Sequence, residues 1–150
     1  ARRHAGRNGR NDSRDWLAAV IALDTNVVVR FLVKDDASQS ARAVTVIRNA
    51  LAKKEEIYIA EIVLCEVVWV LTARYRLARD TVAATLRRFV AADGIVVDNP
   101  LGVARALDKL ADGRIDFADA LVLQRAKDKG CKPLFTFDRA LLDEDGTEAP

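Results

Sequence analysis

Two aspartates stand directly after predicted strands. Asp24 follows the apolar strand end Ile21–Leu23, and Asp138 follows the strand Pro133–Phe137. Because the carboxyl ends of parallel strands open into one crevice of an α/β sheet, both carboxylates are expected to face the same cleft, where they could bind a cation. Each aspartate could equally cap the helix that follows it, since aspartate is favoured at that position.

Glu66 is harder to explain as a structural residue. It lies in EIVLCEVVWVL, residues 61–71, where most neighbours are apolar, and no lysine or arginine stands three or four residues away to pair with it. Buried charges usually pair or bind a metal ion, because an isolated buried carboxylate is costly. Glu66 therefore either lies on a narrow exposed helix face shared with Glu61, Val63 and Arg74, or faces a polar cleft or a cation. We favour the second interpretation.

Asp116 and Asp119 are three residues apart at the start of a predicted helix, so they lie on one face of it. A purely structural explanation is strong for this pair. Asp116 would be the N-cap, and Asp119 would lie in the first turn, where the helix dipole favours acids. The segment after Asp119 is apolar, which places that carboxylate at the edge of a buried surface.

The acidic residues become a demanding set if they share one pocket. At separations of about 6 Å, each carboxylate pair repels by ~0.7 kcal/mol in water and ~2.8 kcal/mol at an effective dielectric constant of about 20. Four such carboxylates form six pairs, whose total repulsion of ~4 to ~17 kcal/mol rivals the stability of a whole domain, about 5–15 kcal/mol, so the set must hold cations or protons. Oxygen ligands suit Mg²⁺ or Mn²⁺, whereas zinc is disfavoured because the single histidine, His4, stands in the N-terminal segment.

The missing histidine also limits the reaction chemistry. A ribonuclease without a metal normally needs a positioned acid and base, most often histidine, and none follows His4. The sequence has no GxSxG, GxxxxGK[ST] or GxGxxG segment, which weighs against a serine hydrolase, a P-loop protein and a dinucleotide-binding protein. What remains is water activated by a divalent cation and directed at a phosphodiester.

Strands and helices must alternate to bring these acids together. Hydrophobic periodicity and capping signals predict this alternation along the chain. It favours an α/β fold with a parallel sheet covered by helices on both faces, a three-layer α/β/α sandwich. The predicted strands end at Leu23 and lie at 56–60, 95–98 and 133–137, and the predicted helices follow Asp36, span 60–75, follow Asp80, span 101–110, run from Asp116 to Gly130 and span 139–145.

The N-terminal segment differs from the rest of the 150 residues. The net charge is only +2, yet five arginines crowd the first fourteen residues: Arg2, Arg3, Arg7, Arg10 and Arg14. Such residues could raise affinity for phosphate backbones. We favour a simpler explanation, in which residues 1–19 are a disordered tail, an upstream-start artefact or a cloning remnant, and residues 20–150 form one domain.

The sequence gives little support for a membrane-spanning segment, a signal peptide or a disulfide. No run approaches the ~20 apolar residues of a membrane span. The apolar stretch 16–23 resembles a signal peptide, but Asp24 interrupts it and no small-residue cleavage pattern follows. Cys65 and Cys131 are isolated, which is typical of buried thiols in a reducing compartment, so a cytoplasmic location is expected.

Four segments in this order resemble one family. IALDTNVVVRFL, the acidic residue in EIVLCEVVWVL, DFADALVLQRAKDKGC and PLFTFDRAL are similar to the PIN domain, in its bacterial VapC-type toxin branch. The resemblance covers about residues 20 to 143. The acidic positions of that branch fall on Asp24, Glu66, Asp116, Asp119 and Asp138, and its supporting polar positions on Asn26 and Thr136.

The resemblance implies more than the residues alone do. Family members have a sandwiched parallel sheet, bind Mg²⁺ or Mn²⁺, cut single-stranded regions of RNA by water attack and often form homodimers. VapC-type members are toxins held inactive by a cognate antitoxin, here a VapB-like protein. That antitoxin commonly inserts a segment with a basic residue near the carboxylates, which would suit an acidic cleft.

These observations lead to a hypothesis for each site residue. Asp24, Glu66 and Asp119 would bind the main cation, and Asp138 and Asp116 would do so directly or through water. Asp24 or Asp119 could also orient the attacking water. The polar residues that fix these ligands would be Thr25, Asn26 and Thr136. Four basic residues flank the acidic segments and could hold phosphates, although solvated surface charge explains each one better: Arg30, Lys34, Arg114 and Arg139.

Two other functions fit parts of the sequence. The chain could be a catalytically inactive PIN-like module that binds RNA or protein, with its carboxylates serving as helix caps; the intact acidic set argues against this. It could instead be an Mg²⁺-dependent phosphatase with a strand-end aspartate as nucleophile. Those sites usually show D-x-D after the first strand, and here Asn26 holds the second acidic position.

Overall fold

A computed structural model describes residues 20–150. The predicted basic tail, its boundary at residue 19 and His4 lie outside the described residues. Within the described part, strands alternate with helices, as the sequence predicts. The elements are β1 (Val20–Ala22), α1 (Thr25–Val33), α2 (Ala37–Ala52), β2 (Glu56–Tyr58), α3 (Glu61–Trp69), α4 (Arg79–Val90), β3 (Ile95–Val96), α5 (Pro100–Asp112), α6 (Phe117–Asp128), β4 (Leu134–Phe135), α7 (Arg139–Leu142) and β5 (Thr147–Glu148).

The first three strands form a parallel sheet in the order β1-β2-β3. Ile57 in the central strand pairs with Ile21 on one side and with Ile95 on the other, and it is fully buried. Since parallel neighbours need a crossover connection, the chain passes through helices between each pair of strands. The predicted α/β fold with a parallel sheet is confirmed.

The last predicted strand does not join this sheet. Leu134–Phe135 pairs instead with β5, in parallel, as a separate two-stranded sheet. The residues after Gly146 begin with an ordered strand. The Thr147 hydroxyl donates to the carbonyl oxygens of Leu141 and Glu144, which fixes the start of β5 beside α7.

The helix predicted over 60–75 is present as α3 followed by a π-helical segment, Val70–Arg74. It is buried on one face only. Val67 and Leu71 lie in the core, whereas Ile62 and Trp69 are largely exposed. The all-round apolar sequence therefore overstates the burial of this helix.

Helix starts follow the capping chemistry in some places and not in others. Asp36 accepts a hydrogen bond from the Gln39 backbone N–H at 2.8 Å, as the sequence predicts. Asp80 is not the cap of α4, because that helix begins one residue earlier, at Arg79, with Ala78 in the N-cap position. No helix within residues 20–150 is both long and apolar enough to cross a bilayer.

The two cysteines are free thiols in different surroundings. Cys65 is half-buried on α3, and its pKa is raised by burial and by the nearby charges of Glu61 and Glu66. Cys131 is exposed. The expectation that both thiols are buried was therefore wrong for Cys131, which lies in the exposed segment between α6 and β4.

Candidate metal centre

Asp24 occupies the N-cap position of α1, directly after the first strand. Its backbone is extended, and its side chain makes no capping hydrogen bond. The residue is exposed. The capping explanation therefore does not account for the Asp24 carboxylate, which remains available at the carboxyl end of β1.

Thr25 connects this strand end to α3. The Thr25 hydroxyl is buried and donates a hydrogen bond to Oε2 of Glu66, which stands 41 residues later. This contact places Glu66 beside the first turn of α1. That turn begins at Thr25, the residue after Asp24. The role of Thr25 as a support for a metal ligand stays a prediction, and this hydrogen bond is the contact through which it would act.

Glu66 itself is exposed, so the expectation that it is buried was wrong. It shares a stripe of α3 with Ile62 and Trp69, four residues before it and three after it, and both are also exposed. This spacing gives one open helix face. Exposure leaves the Glu66 carboxylate accessible to a cation, so the favoured interpretation stays a prediction, and the open face is not the one predicted with Glu61, Val63 and Arg74.

Asp119 lies in the first turn of α6 and is half-buried. Its pKa is raised above the ordinary value, first by burial and then by the negative charges of Asp138 and Asp116. The carboxylates of Asp116 and Asp138 are therefore near enough to Asp119 for their negative charges to affect its pKa. The start of α6 and the segment after β4 are brought together by the fold.

Asp116 and Asp138 are held by different partners. Asp116 is at the N-cap position of α6 but makes no capping bond; its Oδ1 instead lies 2.6 Å from Nη2 of Arg79. Asp138 does cap α7, because its Oδ1 accepts from the N–H groups of Ala140 and Leu141. The capping explanation is therefore correct for Asp138 and wrong for Asp116.

Thr136 supports Asp138 through the backbone. Its hydroxyl accepts a hydrogen bond of 3.0 Å from the Asp138 N–H. This bond orients the strand end from which the carboxylate projects. The supporting role that the resemblance implies for Thr136 stays a prediction, because this bond reaches the backbone of Asp138 and not its carboxylate.

The acidic residues thus form two groups. The first, the α1 group, contains Asp24 and Glu66 with Thr25 between them. The second, the α6 group, contains Asp116, Asp119 and Asp138. Their helices are linked, since α3 packs on α6 and Arg125 of α6 lies 2.8 Å from the carboxylate of Glu61 on α3.

A comparison with models of protein families identifies the family of this chain. The family model of the PIN domain matches residues 21–145, a range that includes both acidic groups. The chain belongs to the PIN domain family. PIN domains are generally metal-dependent nucleases. A search of curated proteins finds no match.

PIN-domain nucleases generally use divalent metal ions, and the donor set here has the right chemistry. It consists of carboxylates, and oxygen ligands suit hard cations. The charge crowding at Asp119 is of the kind that a cation relieves. However, within residues 20–150 no three His, Cys, Asp or Glu side chains are grouped so that they could hold an ion.

Hydrogen bonds and an ion pair within this PIN domain hold several of the acidic side chains, which are not grouped around one point. Glu66 is turned towards Thr25, and Asp116 is turned towards Arg79. Asp138 is turned towards the backbone of α7. A divalent cation would have to compete with these protein donors for each carboxylate. The residues therefore fit the metal by donor type, and three of the five carboxylates, those of Glu66, Asp116 and Asp138, are engaged with other partners.

Arg30 is engaged with other side chains of the protein, and its predicted role as a phosphate ligand stays a prediction. Its Nη1 lies 2.6 Å from Oδ1 of Asp35 and also contacts the Tyr75 hydroxyl, and its Nε donates to Gln39. Hydrogen bonds from Tyr75 and from Arg30 lower the pKa of Asp35. This cluster ties the end of α1 to the residue after the π-helical segment, so Arg30 has a structural task.

The other residues predicted to support the ligands or to bind phosphate make fewer contacts with the protein. Asn26 is exposed and lines a groove with Arg30, and no hydrogen bond joins its side chain to Asp24 or to any other residue in the described range. The support for Asp24 implied by the resemblance is therefore not formed. Arg114 lies 3.7 Å from Asp112. Lys34 and Arg139 are exposed, and for these two the phosphate prediction stays a prediction.

Sequence reasoning missed Arg79. It lies 37 residues before Asp116, in a segment without any acidic motif, and no local signal marks it. Its position at the start of α4 and the position of Asp116 at the start of α6 become adjacent only because α4 packs on α5 and α5 packs on α6.

Proposed function

We propose that this PIN domain is an Mg²⁺- or Mn²⁺-dependent endoribonuclease that cleaves RNA phosphodiesters with metal-activated water. The observation that carries the proposal is the PIN-domain match over residues 21–145, a range that contains all five acidic residues. Asp119 is half-buried, and its pKa is raised in part by the charges of Asp138 and Asp116. A divalent cation bound beside Asp119 would offset the repulsion from these two charges.

Each acidic residue has a proposed role in binding the cation. Asp24, Glu66 and Asp119 would hold the main cation, and Asp116 and Asp138 would do so directly or through water. When bound, the cation supplies a more acidic water and neutralises charge on the leaving oxygen. Thr25 holds the Glu66 carboxylate at the first turn of α1, and the Thr136 hydroxyl accepts from the backbone N–H of Asp138. Asp24 or Asp119 would accept a hydrogen bond from the attacking water and so orient it.

The decisive experiment measures RNA cleavage with Mn²⁺ or Mg²⁺. Single-stranded RNA is incubated with the parent chain, with Asp24→Asn and with Glu66→Gln. We expect both substitutions to lower the cleavage rate by at least about 100-fold, since each removes a charged ligand. Asp93→Asn is the matched control, because Asp93 is exposed and lies outside both acidic groups. Equal cleavage by the parent and Asp24→Asn would contradict the mechanism.

The same assay separates the competing functions. Turnover of small phosphomonoesters without cleavage of RNA would favour the phosphatase. Binding of RNA with no cleavage by any variant, at any concentration of Mn²⁺, would favour an inactive binding module.

We also propose that the enzyme is the toxin of a type II toxin–antitoxin pair and acts in the cytoplasm as a homodimer. This part of the proposal derives from the VapC-type resemblance of the motifs around Asp24 and Asp138. Induced expression in bacteria should arrest growth, and Asp24→Asn should abolish the arrest. Co-expression of a VapB-like protein, encoded by a short gene directly upstream, should restore growth. Growth arrest by Asp24→Asn would contradict a toxin that acts through cleavage.

A further inference from the structure

We propose that Arg79 is an RNA-binding residue of the metal centre, which exchanges the Asp116 carboxylate for a phosphate group of the RNA. This inference rests on the proposed ribonuclease function. Arg79 is the first residue of α4, and its Nη2 lies 2.6 Å from Oδ1 of Asp116. Among the ion pairs within residues 20–150, this one alone includes a predicted metal ligand.

The Arg79 side chain has unused capacity to bind a phosphate. A guanidinium carries five N–H donors in a planar fork, which matches the oxygens of a phosphate group. Here Nη2 contacts Asp116, and no other hydrogen bond to a described residue is formed. The side chain is 43% exposed, so a ligand can reach it.

Exchanging the carboxylate for a phosphate is energetically easy. Both partners of the pair are exposed, and exposed ion pairs contribute little to stability. Asp116 also belongs to the crowded α6 group, where a metal ion would compete with Arg79 for the carboxylate. A bound cation and an incoming phosphodiester would therefore act together, the cation binding Asp116 while Arg79 moves to the RNA.

A second pair on the same helix provides a matched control. Arg87, two turns further along α4, lies 2.6 Å from Asp108 on α5. The side chains of this pair are 46% and 59% exposed, close to the 43% and 67% of Arg79 and Asp116. Asp108 belongs to neither acidic group. If Arg79 merely ties α4 to its neighbours, substituting either arginine should have the same effect.

The test measures the affinity of the full chain for fluorescently labelled single-stranded RNA. Binding is followed by anisotropy in Ca²⁺ over a range of salt concentrations, with a gel to confirm that the RNA stays intact. We expect Arg79→Ala to weaken binding about tenfold and to reduce the salt-dependence slope by about 0.7, the value for one phosphate contact on a single strand. Arg79→Lys should retain part of the affinity, because it keeps the charge and loses the fork. Arg87→Ala should stay within about twofold of the parent. Cleavage kinetics in Mn²⁺ should show that Arg79→Ala acts mainly on KM.

Each alternative outcome is distinct. Equal affinity and slope for Arg79→Ala and Arg87→Ala would overturn the proposal and leave Arg79 as a structural residue. Tighter RNA binding by Arg79→Ala would also overturn it, because Arg79 would then only block Asp116. If the parent binds RNA tightly but does not cleave it, the ribonuclease proposal fails while Arg79 is still tested by binding. If the parent neither binds nor cleaves RNA, both proposals fail together.

Discussion

At the scale of single residues, three aspartates in equivalent N-cap positions have different tasks. Asp24, Asp116 and Asp138 each precede a helix with extended backbone angles. The Asp138 side chain alone among these three bonds to the helix it precedes. Aspartate is favoured at N-caps because its carboxylate satisfies free N–H groups, so two side chains that forgo this bond are available for another purpose. The sequence position of each aspartate, directly before a helix, does not show whether its side chain caps that helix.

The hydroxyl of Thr25 should be needed to position Glu66. Thr25→Val keeps the shape of a buried side chain and removes the hydrogen bond to Oε2 of Glu66. We expect the free energy of unfolding to fall by only about 1 kcal/mol, because Glu66 is exposed and water replaces the lost donor. Metal-dependent RNA cleavage should fall about 10–100-fold. Urea unfolding and the cleavage rate measure the two effects.

Thr72→Val is the matched control for this prediction. The Thr72 hydroxyl is half-buried and bonds to the backbone oxygen of Val68, so it holds no acidic side chain. Cleavage by Thr25→Val at the rate of Thr72→Val would show that Thr25 does not position Glu66.

Asp119 should destabilise the metal-free protein at neutral pH. Its pKa in the folded state is raised above 3.8 by burial and by the charges of Asp138 and Asp116, so the folded state holds the proton more tightly than the unfolded chain does. Stability is therefore lost as the pH rises from the ordinary value through the raised pKa. We expect Asp119→Asn to raise Tm in a chelator at pH 7 by roughly 1–4 °C. The gain should shrink as the pH falls below the raised pKa.

Addition of Mg²⁺ should reverse this difference, because the parent would gain a ligand that Asp119→Asn has lost. Thermal unfolding at several pH values, with and without Mg²⁺, measures the effect. An Asp119→Asn variant that melts below the parent in the chelator at pH 7 would show that charge crowding is not significant there.

At the scale of elements, the start of α5 is fixed by an asparagine cap. Oδ1 of Asn99 accepts from the Gly102 N–H, and Nδ2 of Asn99 donates to Oδ2 of Asp128 at the end of α6. A Cβ on Gly102 would lie 2.2 Å from Nδ2 of Asn99. The glycine therefore makes room for the cap, and the cap in turn joins α5 to the helix that carries Asp119.

This packing predicts a substitution whose sign depends on its background. Gly102→Ala should destabilise the parent by about 1 kcal/mol, because it displaces the Asn99 cap. In an Asn99→Ala background the cap is already absent, and the same change should stabilise by about 0.5–1 kcal/mol through helix propensity. A double-mutant cycle by urea unfolding measures the coupling. Equal effects of Gly102→Ala in the two backgrounds would contradict the packing argument.

At the scale of the whole molecule, charge is divided unevenly along the chain. Of 24 basic and 22 acidic residues, five arginines and two aspartates fall within residues 1–19, so residues 20–150 carry 19 basic and 20 acidic side chains. A domain with this balance gains no RNA affinity from net charge. Its affinity must come from single basic residues close to the metal centre, which is the position that Arg79 occupies.

A chain that begins at Val20 should keep the fold and the activity. The core residues are found throughout residues 20–150, and both acidic groups lie in this range. We expect its Tm to stay within about 2 °C of the full chain and its metal-dependent cleavage rate within about twofold. Non-specific RNA binding should become weaker and less dependent on salt, because five arginines are removed. Loss of folding would contradict the predicted domain boundary.

Local chemistry in the sequence was sufficient for much of this protein. Strand-end position marked Asp24 and Asp138, capping chemistry placed the start of α2 at Asp36, and a long, mostly apolar run predicted the helix that carries Glu66. These features depend on residues within a few positions of one another, since periodicity and capping act over one or two helical turns. The α/β fold followed from the order of such segments.

Tertiary structure alone decided which side chains meet. The exposure of Glu66, its bond to Thr25 across 41 residues, the pairing of Arg79 with Asp116 and the separate β4–β5 sheet have no local signal. They depend on how helices pack, and packing energy is shared by many apolar contacts that are similar in kind along the chain. The sequence by itself therefore identified the acids, and the three-dimensional arrangement determined what each carboxylate binds.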